Sequence, residues 1–147
     1  MRDLDVALYA HRPHPMHDIA EDSARAHAYS QIEFHRIVEP GTAHVNANRA
    51  TRTGRARYFC LIDEDVEFLT NGWDAYLLGV LERDPGVGLA NCAELKTPEE
   101  RAGYLERTQR IDQHAVLELS WAPAYVMVID RERTPWFCSG CPHNTST

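Results

Sequence analysis

Arg57-Tyr58-Phe59-Cys60-Leu61-Ile62-Asp63-Glu64-Asp65-Val66 decides how this chain reads. Tyr58–Ile62 is an unbroken apolar run without polar alternation, the pattern of a strand buried on both faces. It runs directly into three carboxylates. Side chains alternate along a strand, so Asp63 and Asp65 converge on one side while Glu64 points away. Like charges this close repel, and a bound cation relieves the repulsion. Hard divalent cations such as Mn²⁺ or Mg²⁺ favour carboxylate oxygen and keep positions open for phosphate oxygens. The plainer reading is a solvated acidic turn after a buried strand.

Working outward, Asp5–Ala10 reads as a short strand, stopped by His11-Arg12-Pro13-His14-Pro15, where two prolines fix φ and remove donors. Residues 17–31 have helical spacing, with a stripe of Ala20, Ala24 and Ala28 that Ile32 continues. Ile32–Val38 returns to strand chemistry, Pro40-Gly41 is a turn, and residues 43–53 read as a helix ended by Gly54. Downstream, Gly72 precedes an amphipathic helix with Trp73, Tyr76, Leu77, Val80 and Leu81 on one face. Asp84-Pro85-Gly86 ends it and Val87–Cys92 is a strand. Residues 97–115 are a polar helix or loop, and Leu117–Trp121 and Tyr125–Ile129 are further strands.

Strands alternating with helices predict an α/β protein, a three-layer α/β/α sandwich with a mostly parallel central sheet. One domain is expected over residues 1–137, with 138–147 as a C-terminal tail. Open α/β sheets bind ligands at the carboxyl ends of their strands, which is where Asp63–Asp65 lie.

The net charge of -7 over 147 residues argues against non-specific nucleic-acid binding by the chain as a whole, although a nucleic acid as acceptor stays open. Arg49, Arg52, Arg55 and Arg57 form a local basic stretch, either a phosphate contact or a solvated face. No apolar run reaches the roughly 20 residues of a membrane span, and the N-terminus lacks an apolar signal core, so a cytoplasmic location is expected. Cys60 and Cys92 sit in apolar segments and read as core. Cys138-Ser-Gly-Cys141 with His143 has zinc-ligand spacing, with only distant His35 and His114 to complete it, against a frayed tail. His11, His14 and His17 form either a polar surface loop or a base or phosphate contact. Trp73 reads as core, and Trp121 as core or as a platform for a sugar ring.

Gly41, Asn48-Arg49-Ala50, the run Gly54–Val66, the helix from Trp73 through Leu81, Asp84-Pro85-Gly86-Val87-Gly88 and Trp121–Arg131 combine into one pattern. Together they resemble family 2 glycosyltransferases of the GT-A fold, chiefly over residues 38 to 92. The resemblance implies a metal-dependent enzyme, using Mn²⁺ or Mg²⁺, that moves a hexosyl or pentosyl group from a nucleoside-diphosphate sugar to a hydroxyl acceptor. It makes Asp65 the main metal ligand and Asp63 a ligand to the metal or the ribose. It also places Asn48 and Arg52 near the nucleotide or its diphosphate, and His11 and Arg12 in the loop on the nucleotide side.

Family members usually exceed 200 residues and carry one more strand–helix unit, with an aspartate where His11-Arg12-Pro13-His14 stands. Their catalytic base follows the acceptor-side strands, so Glu94, Glu118 and Asp112 are the substitute base candidates here. The alternative is a non-catalytic GT-A-like nucleotide- or sugar-binding domain, or a subunit of a larger complex. A homo-oligomer could complete the site. A nucleotidyltransferase fits less well, because its lysine-bearing glycine-rich loop is missing and Lys96 is the sole lysine.

Overall fold

The computed structural model describes residues 3–92, 97–106 and 126–134. In chain order these form β1 (Asp3–Ala10), α1 (Met16–His27), β2 (Gln31–Val38), α2 (Ala43–Thr51), β3 (Tyr58–Ile62), α3 (Trp73–Arg83), β4 (Leu89–Asn91), α4 (Pro98–Glu106) and β5 (Val126–Asp130). The strands make one open five-stranded sheet, ordered β2-β1-β3-β5-β4. β1 pairs in parallel with β2 and with β3, while β5 runs antiparallel to both β3 and β4. The sheet is therefore mixed, with four strands in one direction and β5 against them.

Alternation along the strands sends two sets of side chains to opposite faces. On one face Leu4, Val6, Leu8, Cys60, Ile62 and Val128 form a buried cluster with Ala20 and Ala24 of α1 and Leu77, Leu78 and Leu81 of α3. On the other, Ala7, Phe59, Leu61, Met127 and Ile129 cluster with Ala50, and Ala47 packs against them, both from α2. β3 and β5 are buried at every residue, as an unbroken apolar run requires. Cys60 behaves as a small core residue, and burial pushes its thiol well above the ordinary value. Trp73 is core as expected, its ring 4.2 Å from Phe68 and its indole N–H donating to the Ala24 carbonyl.

Several boundaries move from their expected places. The first helix stops at His27, not at residue 31, because the buried Asp74 carboxylate accepts the Tyr29 and Ser30 backbone N–H groups at 2.9 and 2.6 Å. That bond pattern turns the chain out of the helix. The strand expected over Val87–Cys92 contracts to β4. The polar stretch from residue 97 opens with a capping box: Thr97 Oγ1 accepts the Glu100 N–H at 3.1 Å, and the Glu100 carboxylate accepts the Thr97 N–H. The strand expected over Leu117–Trp121, the Cys138–Cys141–His143 group and the tail lie outside the described residues. No helix among those described is long and apolar enough to cross a membrane.

The end of β5 is anchored by charge. Asp130 is fully buried and accepts hydrogen bonds from Arg57 Nε and Nη2 at 3.2 and 2.9 Å and from the Glu132 N–H at 3.0 Å, with Arg133 Nε at 3.1 Å. Burial alone pushes the Asp130 carboxyl up. The bonds from Arg57 and Glu132, with the charges of Arg57 and Arg133, more than reverse this and hold it below the usual carboxylate range. A carboxyl depressed on folding adds stability that is full above its unfolded value near 3.9 and is lost as pH falls through the lower folded value. Asp130→Asn should therefore cost roughly 1–3 kcal/mol at neutral pH, held down by the exposure of Arg57. Urea unfolding of both proteins across pH should show that gap closing in acid. A gap that widens as pH falls would contradict the assignment.

Candidate acidic cleft at the carboxyl ends of β1 and β3

Leu8 of β1 pairs with Ile62 of β3, so Tyr9 and Asp63 come next on adjacent strands. Both continue the α2-side set of their strands, and the Tyr9 hydroxyl donates to Asp63 Oδ1 at 2.6 Å. Glu64 turns toward the opposite face, where its Oε2 lies 3.2 Å from Nε2 of the buried His17 on α1. Asp65 is exposed and makes no hydrogen bond or ion pair with any described residue. The alternation expected from sequence thus separates the partners of Asp63 and Glu64. It does not remove Glu64 from the site, because Asp63, Glu64 and Asp65 all line one cavity of about 250 Å³ with Tyr9, Ala10, His11 and Ala43.

This cavity carries a concentrated negative field. Burial pushes the Tyr9 phenol above its ordinary value, and the bond to Asp63 and the charges of Asp63, Asp65 and Glu64 push it the same way. Ala10 of the lining is fixed by Asn46, which does not itself line the cavity. This side chain is fully buried, and its Nδ2 donates to the Ala10 carbonyl at 3.0 Å and the Glu39 carbonyl at 2.8 Å. It ties the ends of β1 and β2 to the first turn of α2, which Thr42 caps by accepting the Val45 N–H.

The structure gathers Asp63, Asp65 and His11 from the residues expected to form a site. Arg12 is exposed beside His11 and does not line the cavity. Asn48 is half-buried in α2 and Arg52 is exposed at its C-terminal cap, and neither lines the cleft. Of the four clustered arginines, Arg49 pairs with Glu39 and Arg57 with Asp130. His14 is exposed, and its Nδ1 accepts the Met16 N–H. Glu94, Asp112, Glu118 and Trp121 lie outside the described residues. Sequence reading missed Tyr9 and Asn46. It set His17 with His11 and His14 as a surface loop or a base or phosphate contact, whereas His17 is buried on α1 beside Glu64. Neither this pairing nor that of Tyr9 leaves a local signal, because the partners are 47 and 54 residues away.

A second charged group sits on the adjacent strands β1 and β2. Asp5, Glu33 and His35 bring one potential ligand atom each within 4.8 Å of one another. His35 Nε2 lies 3.1 Å from Asp5 Oδ1 and 3.9 Å from Glu33 Oε1. Asp5 is buried and already engaged: Oδ2 accepts the Ala56 N–H at 2.8 Å and lies 3.5 Å from Arg131 Nη2. Arg131 also donates to the Thr53 carbonyl at 2.6 Å and stacks over Phe59 at 4.7 Å. The Ala56 N–H and Arg131 engage Oδ2 while His35 faces Oδ1, so the group is a charged junction whose three ligand atoms could also hold a metal ion.

No known protein-family model matches the chain, and a search of curated proteins finds no relative.

Proposed function

We propose that the cleft at Asp63–Asp65 binds a divalent cation together with the diphosphate of a nucleoside-diphosphate sugar, and that the protein is a metal-dependent glycosyltransferase acting on a hydroxyl acceptor. One observation carries this reading: three carboxylates at the carboxyl end of a central strand open into a single cavity. The donor set fits Mn²⁺ or Mg²⁺, since every acidic group at the cavity offers hard oxygen, and the phenol that meets Asp63 is a neutral donor. Asp63 and Asp65 would hold the ion. When bound, it would neutralise charge developing on the departing diphosphate. His11, on the cavity wall, can donate to phosphate oxygen. The apolar clusters on both faces of the sheet support the three-layer GT-A arrangement.

Binding without transfer is the second reading. It is favoured because, among the described residues, no carboxylate outside the triplet lines the cavity to act as a separate base. A nucleotide-sugar panel with Mn²⁺ distinguishes the two. Transfer predicts slow release of nucleoside diphosphate from one donor, together with a rise in melting temperature. Binding alone predicts the rise without release. Neither effect with any nucleotide would sink both.

A further inference from the structure

Asp5 of β1 and Glu33 of β2 are register partners across their parallel pair, and His35 follows two residues after Glu33. Alternation puts all three on one face of the sheet, the face of Ala7 and Ile37, whose cluster takes in Ala50 of α2. Two carboxylates side by side on neighbouring strands repel. The imidazole relieves only part of this. His35 Nε2 lies 3.1 Å from Asp5 Oδ1 but 3.9 Å from Glu33 Oε1, and its single N–H donates to one of them. Among the described residues the Glu33 carboxylate makes no hydrogen bond and no other ion pair.

We propose that Asp5, Glu33 and His35 form a binding site for a zinc-type divalent cation, to which each contributes one of three ligand atoms lying within 4.8 Å of one another. An imidazole nitrogen with two carboxylate oxygens is a mixed donor set that suits Zn²⁺ or Co²⁺, whereas Mg²⁺ and Ca²⁺ take oxygen. Asp5 is the fixed member. It is 1% exposed, and the Ala56 N–H at 2.8 Å and Arg131 Nη2 at 3.5 Å hold its Oδ2, so that Oδ1 is turned to His35. Outer partners of this kind orient ligating carboxylates. Glu33, its side chain 75% exposed, gives the ion access from solvent. His35 ligates through the Nε2 lone pair, which puts its ring proton on Nδ1 in the bound form. Even with Arg131 beside Asp5, two carboxylates against one guanidinium leave a net negative charge to attract the cation. Three protein ligands leave the fourth position of a tetrahedral zinc to water.

The site is separate from the acidic cleft, because Asp5 stands four residues before Tyr9 on β1, about 13 Å along the strand. It therefore stands or falls independently of the function proposed above. A bound ion would also pin β2, the edge strand, to the rest of the sheet.

Co²⁺ alone, added to the whole protein, is the probe. Its visible d–d bands report tetrahedral coordination, and a thiolate ligand adds a charge-transfer band in the near ultraviolet. The wild type should show the visible bands without the thiolate band, and Zn²⁺ should displace the Co²⁺. His35→Ala and Glu33→Ala should each bind at least about 100-fold more weakly, beyond the loss typical of a partner that only orients a ligand. Asp65→Ala, at the cleft, should show the same bands as the wild type. Glu33 is exposed and its carboxylate supports no contact but that to His35, so Glu33→Ala keeps the test decisive even if His35→Ala fails to fold. Any one of four results would overturn the site: no Co²⁺ bound by the wild type, a thiolate band on the bound ion, unchanged affinity in Glu33→Ala, or bands lost in Asp65→Ala.

Discussion

Asp65→Ala is expected to abolish the stabilisation that Mn²⁺ and a nucleoside diphosphate confer while leaving the metal-free protein at least as stable as before. The two halves of this expectation have separate causes. Asp65 is exposed and makes no hydrogen bond or ion pair with any described residue, so truncating it removes no fold contact. Surface changes of that kind fall within about 0.5 kcal/mol. Removing one of three adjacent negative charges also relieves repulsion in the metal-free state. The ligand effect is larger. A ligand at 100 times its dissociation constant adds about 2.7 kcal/mol, which in a domain of this size raises the melting temperature by roughly 5–10 °C. Thermal unfolding with and without Mn²⁺ and nucleotide measures both halves at once. A shift that survives in Asp65→Ala would remove this carboxylate from the site. A metal-free protein that loses several degrees would mean that Asp65 supports the fold.

The largest effect on stability is expected at Gly54. Its φ of +70° lies in the left-handed region, and a Cβ built there would stand 2.1 Å from both Cγ and Oδ2 of Asp5. Asp5 cannot step aside cheaply. It is buried and held by the Ala56 N–H, His35 and Arg131, so moving it breaks a charged junction as well as admitting a methyl group. Disrupting a buried ion pair costs roughly 3–5 kcal/mol, and the left-handed backbone adds about 1–2. Together they approach the whole stability of a typical domain, about 5–15 kcal/mol. Gly79→Ala is the matched control. That glycine is inside α3 with no heavy atom within 4 Å of its missing Cβ, so alanine should stabilise by about 0.5–1 kcal/mol. Urea denaturation should move the two midpoints in opposite directions. A Gly54→Ala loss below about 1 kcal/mol would show that the loop around Asp5 yields.

Much of this architecture is legible in the sequence where one element carries its own signal. Tyr58–Ile62 announces a doubly covered strand, and Trp73–Leu81 announces the helix that covers it, because burial on both faces leaves a strand apolar throughout and burial on one face gives a helix a period of 3.6. The acidic turn is legible for the same reason. Signals that depend on pairing across the chain are not. Asp74 ends α1 from 44 residues downstream, so no local pattern stops the helix at His27. Asn46 and Asn48 look equivalent in the sequence, yet only Asn46 faces the carbonyls that end β1 and β2. The arginine stretch reads as one basic patch until Glu39, 10 residues before Arg49, and Asp130, 73 residues after Arg57, claim two of its members.

The sheet order bears on how this chain reaches its folded state. β5 sits between β3 and β4, although it is the last of these strands to be synthesised. During synthesis β2, β1 and β3 can associate as soon as they emerge. β3 then presents an open, wholly apolar edge until residues 126–130 arrive to fill it. β4 cannot join before β5 does, since its strand pairing is to β5. Completion of the sheet therefore waits on long loop closure, the slow step in folds dominated by non-local contacts. Over that interval the strand that leads into the acidic cleft is also the surface most exposed to mispairing with another chain.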